Sequence, residues 1–193
     1  MAPPADDPPP PAAGELELVR RFVNSADIEA GFDEFADLGG WQTWATRNGF
    51  ASPASPGSGS TEDLRRLVEL REALREGLQA NHDRAAMPPA TIAELNRAAD
   101  WAALRVRFAP DRAVLATEAA GLRAAAAGVL ARVADAMADG SWARLKVCAN
   151  DGCRWAFYDT SRSRTGQWCS MGICGNRAKQ ARYKSRKAGA VKP

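Results

Sequence analysis

All four cysteines of this 193-residue chain fall within 27 residues near its C-terminal end, in two pairs of identical spacing, Cys148-x4-Cys153 and Cys169-x4-Cys174. Two thiolate pairs separated by a hairpin-sized insert bring four soft ligands to one point, which suits one tetrahedral Zn²⁺. With sulfur at every position no coordination site stays open for water, so the zinc expected here is structural. Two other readings of the same residues stand beside it. Four cysteines also suit an iron–sulfur cluster, and a redox disulfide pair is the third reading, although the spacing is not the C-x-x-C of thiol exchange. The constraint on folding is severe. So short a segment has too little apolar area to fold alone, whereas structural zinc contributes on the order of 10–16 kcal/mol in peptide-like sites. The metal is therefore the expected fold determinant, with Trp155, Phe157 and Trp168 as a miniature core.

Around the ligands, Lys146-Val147-Cys148 is expected as a strand and 149–152 as a tight turn, with Gly152 supplying a positive φ. Residues 155–158 alternate as a second strand, 160–165 form a polar loop, and Gln167-Trp168-Cys169 returns as a partner strand. A final helix opens at Cys174-Gly175-Asn176. It carries Arg177, Lys179, Gln180, Arg182, Tyr183, Lys184, Arg186 and Lys187.

The net charge of +3 hides a split. Residues 141–193 hold 12 Lys or Arg against two acids, Asp151 and Asp159, which leaves 14 basic against 21 acidic residues in 1–140. A basic module joined to an acidic body points to a nucleic-acid partner for the module. The alternative is that the two parts neutralise one another by docking.

Upstream, residues 1–13 are rich in Pro, Ala and Asp and are expected as an extended, disordered tail, with order starting near Glu15. Residues 15–19 alternate and suggest a short strand, and 22–25 show no clear period. A short helix over 37–47 places Leu38, Trp41, Trp44 and Ala45 on one face, with Asn48-Gly49 ending it. Residues 51–60 read as a loop. Ser60 offers an N-cap with Asp63 three residues on, opening a helix over 62–79 whose stripe is Leu64, Leu67, Val68, Leu74 and Leu78. A helix over 91–101, a β-hairpin from 104–108 and 114–117, and a helix over 119–138 follow, with Asp139-Gly140 as boundary. The fold class is thus α+β: a mostly helical domain over 14–140 with a small β-hairpin, then a small zinc-stabilised ββα-like finger over 141–187 and a flexible tail over 188–193. No apolar run spans a bilayer. The start of the chain lacks the n- and h-regions of a secretory signal, so a cytoplasmic, reducing setting is expected.

Phe157-Tyr158-Asp159, Trp168-Cys169-Ser170-Met171 and Cys174-Gly175-Asn176-Arg177, together with the first cysteine pair, resemble the CGNR zinc finger, named for that last tetrapeptide. In that family the finger follows a mostly helical ABATE domain. Phe22-Val23-Asn24-Ser25 resembles the Phe-Val-Asn-Thr segment near the start of that domain. The resemblance rests on motif over 145–187 and on order and length over 14–140. It implies a stress-induced transcriptional regulator with a DNA-binding finger. Two departures stand out. Arg154 follows the second cysteine where Gly is common, and Gly166-Gln167 stands where a pair of arginines often precedes Trp-Cys.

The candidate nucleic-acid contacts are Arg162 and Arg164 in the loop and Asn176, Arg177, Lys179, Gln180, Arg182, Lys184, Arg186 and Lys187 on the helix. Positions 179, 182, 183 and 186 share one face and 177, 180, 184 and 187 another, so one face reads bases while the other clamps phosphates. Asn176 also suits a helix N-cap, and Arg177 suits bracing the knuckle's carbonyls. Double-stranded DNA is the expected partner. A zinc-stabilised protein-docking or RNA-binding module is the alternative, in which Trp155 and Tyr158 stack on bases unless they are core.

No catalytic set emerges in 14–140. His82 is the sole histidine and is expected to be exposed at a helix end, so no enzymatic role is expected. That domain is expected to dimerise or bind a small effector. Trp41, Trp44, Phe50 and Trp101 line a pocket in that reading and form core otherwise.

Overall fold

The computed structural model describes residues 11–50 and 59–189. The expected tails over 1–13 and 188–193 and the loop over 51–60 lie mostly outside them. Within 11–13, Ala12 is buried and its N–H donates to Glu17 at 2.8 Å, so packing begins before Glu15.

The first element is a helix, not the expected strand. α1 (Leu16–Val23) buries Leu16, Val19, Phe22 and Val23. That spacing is helical, and the alternation over 15–19 is only a fragment of it. Glu17 holds Arg20 and Arg21 three and four residues on, which favours the helix further. A two-residue hairpin of β1 (Ala26–Asp27) and β2 (Phe32–Asp33) leads to α2 (Leu38–Arg47), capped by the Asp37 carboxylate on the Gly40 N–H.

α3 (Thr61–Asp83) is the axis of the molecule. Ser60 and Asp63 form the reciprocal capping box that their spacing promised. Leu64, Leu67, Leu70, Leu74 and Leu78 are buried along its length. α4 (Pro89–Trp101) packs on it, opened by a proline whose missing N–H costs nothing at the first helical position. The hairpin of β3 (Arg105–Phe108) and β4 (Ala113–Ala116) pairs Arg105 with Ala116 through Phe108 with Ala113, and leaves Phe108 87% exposed. α5 (Gly121–Asp139) ends at Gly140 with φ 77°. Phe22, Phe35, Trp41, Trp44 and Phe50 form one aromatic cluster, with ring centroids 5.3 to 6.1 Å apart. Trp41, Trp44 and Phe50 are thus core. Trp101 lies outside that ring cluster but is buried in the same core, its indole donating to Asp63.

The last third contains β5 (Leu145–Val147), β6 (Ala156–Tyr158) and α6 (Asn176–Gly189). β5 and β6 pair antiparallel, but residues 167–169 do not form the expected strand; only the Ala149 N–H reaches the Gln167 carbonyl. Leu145, Val147 and Ala156 are fully buried in the same core as the helices, with β5 lying along α3. The hairpin that leads into the cysteines is therefore seated in the apolar core of the helical part.

Candidate metal centre and basic helix

Polar side chains fasten that seat. Asn24, the residue after α1, acts as a strand edge: its Oδ1 accepts the Ala156 N–H at 2.7 Å and its Nδ2 donates to the Ala156 carbonyl at 2.9 Å. Asn81 donates to the carbonyls of Trp142 and Leu145. Arg75, wholly buried, donates to Val23 in α1, to Arg154 beside the cysteines and to Glu72. A buried guanidinium is tolerable only when its donors are used, and here each nitrogen has an acceptor.

Beyond the hairpin the four sulfurs converge. The ligand atoms of Cys148, Cys153, Cys169 and Cys174 lie within 4.8 Å of one another, all buried. Cys153 and Cys169 are 3.7 Å apart, and Cys169 and Cys174 3.8 Å. A tetrahedron with zinc–sulfur bonds of about 2.3 Å has edges of about 3.8 Å. A disulfide would need about 2.05 Å. The spacing fits a metal cage, and the disulfide reading is set aside.

The clustered thiols also shift one another's ionisation. Hydrogen bonds from Cys153 and Cys169, with further ones from the backbone of Cys169 and Asn150, hold Cys148 far below the ordinary thiol range. The bond to Cys148 pushes Cys153 and Cys169 up, and burial raises Cys174. Cys148, Cys153, Cys169 and Cys174 would hold a divalent ion as thiolates, so their protons would be released on uptake and metal binding would weaken as pH falls. Asn150 adds an outer contact to the Cys174 sulfur at 3.8 Å. Phe157 is buried against the sulfurs, with Trp155 and Trp168 packed beside it.

Backbone details correct two expectations. Arg154, not Gly152, takes the positive φ, at 47°. That explains why Gly suits this position. Arg154 stays there with its side chain on Glu76 and its carbonyl on Arg75. At Gly166 an added Cβ would lie 2.8 Å from the Asp159 carboxylate, so an arginine there would displace that group. Asp159, which stands in the Phe157-Tyr158-Asp159 motif, is buried and anchors the loop that follows it. It accepts from Lys146 Nζ at 2.8 Å, from the Ser161 N–H and hydroxyl, and from the Gly166 N–H. Burial raises its pKa, but these donors outweigh burial and hold the carboxyl at about 2. The pair pins the 159–166 loop, with Lys146 also donating to the Arg164 carbonyl.

Ser170, rather than Asn176, opens the last helical segment: its hydroxyl accepts the Ile173 N–H ahead of a π-type turn over Met171–Gly175. Asn176 instead donates back to the Gly172 carbonyl. Among the described residues Arg177 braces no knuckle carbonyl; it pairs with Glu29, beside β1, at 2.6 Å. Lys179, Gln180, Arg182, Lys184, Arg186 and Lys187 are exposed, with Tyr183 among them, and so are Arg162 and Arg164 in the loop. His82 is half-buried with Nδ1 lacking a partner among the described residues, not exposed as expected.

The cations divide sharply. Eleven of the 14 arginines in 16–140 have a carboxylate partner. Of the 11 described cations from Arg144 on, only Lys146, Arg154 and Arg177 do. No described helix is long and apolar enough to cross a membrane. Residues 144–187 match the family model of the CGNR zinc finger, and residues 16–140 match ABATE, described as "Putative stress-induced transcription regulator". The donor set and this match select zinc over an iron–sulfur cluster. A comparison with curated proteins found no match.

Proposed function

We propose a function from one premise: the chain belongs to the ABATE family and carries a CGNR zinc finger at its C-terminal end. It acts as a transcription regulator whose finger binds double-stranded DNA through α6. The observation that carries this reading is the row of unpaired cations on a helix rooted in the cysteine cage. Cations already holding carboxylates have little to offer an outside anion. Lys179, Arg182, Lys184, Arg186 and Lys187 hold none among the described residues and are free to replace the counterions of a phosphate backbone. The helical part serves as the regulatory or assembly domain, and its seat on β5 and β6 is the route by which it would reach the finger. Binding, not catalysis, is the activity proposed, in a cytoplasmic setting.

The test is a fluorescence-anisotropy titration of zinc-loaded protein with duplex DNA at low and rising salt. Saturable binding that weakens steeply with salt is expected. No duplex binding at low salt overturns the reading. Preference for structured RNA would favour the alternative, with Tyr183, 69% exposed among the cations, as the stacking ring in place of Trp155 and Tyr158, which are partly buried and packed against the cores.

A further inference from the structure

The unpaired cations do not all lie on α6. Arg144, Arg162 and Arg164 belong to the finger's 159–166 loop or its edge, and Arg84, at the end of α3 in the helical part, reaches the same loop. None of the four has a carboxylate partner among the described residues. Three cations hold the loop by its carbonyls. Arg144 Nη1 donates to Asp159 and Ser161 at 3.0 and 3.1 Å, Arg84 Nη2 to Arg164 at 3.1 Å, and Lys146 Nζ to Arg164 at 2.7 Å. Inside the loop Ser161 Oγ accepts the Thr165 N–H, and the hydroxyls of Ser163 and Thr165 bond to each other. The one carboxylate bonded into it, Asp159, is buried and committed to Lys146. Asp83, next to Arg84 in the chain, takes the Gln79 amide.

The loop is thus an ordered, electropositive platform. Its backbone acceptors are covered by cations that keep further N–H donors, and Arg162 and Arg164 extend from it into solvent. Order already present lowers the entropy cost of engaging a ligand. We propose that Arg84 and Arg144, with Arg162 and Arg164, form a second phosphate-contact site for the duplex, so that the helical part itself supplies a nucleic-acid contact. This rests on the DNA reading given above. The site takes backbone phosphates rather than base edges, because guanidinium groups anchored to loop carbonyls offer charge and N–H donors but no acceptor.

The experiment measures duplex affinity against salt for the full-length, zinc-loaded chain. Arg84→Gln combined with Arg144→Gln lowers affinity on every duplex sequence alike and reduces the log–log salt slope by about 2, roughly one unit for each lost phosphate contact. Arg84→Lys with Arg144→Lys restores the slope. The control is Arg105→Gln with Arg112→Gln, two exposed arginines in or beside the β3–β4 hairpin that likewise lack a described carboxylate partner and leave the slope unchanged. An unchanged slope in the first variant, an equal loss in the control, or failure of the lysine variant to recover overturns the proposal. Dependence on Lys184 without dependence on Arg84 and Arg144 overturns this extension alone. A wild-type chain that binds no duplex overturns it together with the DNA reading.

Discussion

The helical part and the finger handle the same side chain in opposite ways. In 16–140 arginine is mostly a fastener. Arg71 grips Asp33 at 2.6 Å and donates to Ser25, and Arg75 ties α1, α3 and the turn after Cys153 together from a fully buried position. From Arg144 on, most cations are left without carboxylates among the described residues, five of them exposed on a helix that packs chiefly against its own π-type turn and the others in or beside the 159–166 loop. The two regions also differ in what holds them. Leucines and aromatic rings close the first, whereas sulfurs and three aromatic side chains close the second. A cation spent on internal pairing adds to the fold, and one left free adds to recognition.

The comparison breaks first at the metal. Cys169→Ser is expected to reduce zinc content from one equivalent to none, a loss on the order of 10 kcal/mol of site stability. Hydrogen exchange should then show protection gone from 148–153 and 166–176 but retained in α3 and β5. Collapse of α3 as well would mean that the two regions are one cooperative unit. Next in size is Arg75→Ala, which strips hydrogen bonds from the carbonyls of Val23 and Arg154 and leaves Glu72 with Arg71 alone. A urea melt should show a loss of about 3–5 kcal/mol.

The Lys146–Asp159 pair gives a pH test. Asp159 titrates at about 2 in the folded chain, below its ordinary value of 3.8. A depressed carboxyl contributes stability that is present above the unfolded value and lost as pH falls through the folded one. Melting temperature should therefore decline between about pH 4 and 2, and Asp159→Asn should flatten that part of the profile. The smallest effect on stability is expected at Lys184→Ala, within about 0.5 kcal/mol. The same change should reduce the salt slope of duplex binding by about 1. A stability loss like that at Arg75 would erase the distinction between fastening and recognition.

Much of this was open to reading along the chain. The paired cysteine spacing located the cage, Ser60 and Asp63 located the start of α3, and the cation run located the outward helix. Short elements were harder. Residues 15–19 alternate like a strand because five residues do not span enough turns to separate the two periods, and only the burial of Phe22 and Val23 settles the helix. The positive φ fell on Arg154 because contacts from Arg75 and Glu76, remote in sequence, hold it there.

By itself the sequence determined which residues would hold a metal, which faces are apolar and which cations stand near one another on the last helix. Those properties depend on side-chain chemistry and local period. Only the tertiary structure decided that Leu145, Val147 and Ala156 complete the helical core, that Asn24 pairs with Ala156 across 132 residues, and that Arg84 meets the finger's loop. An apolar face requires a cover and a buried amide requires a partner, but neither requirement names the distant segment that meets it.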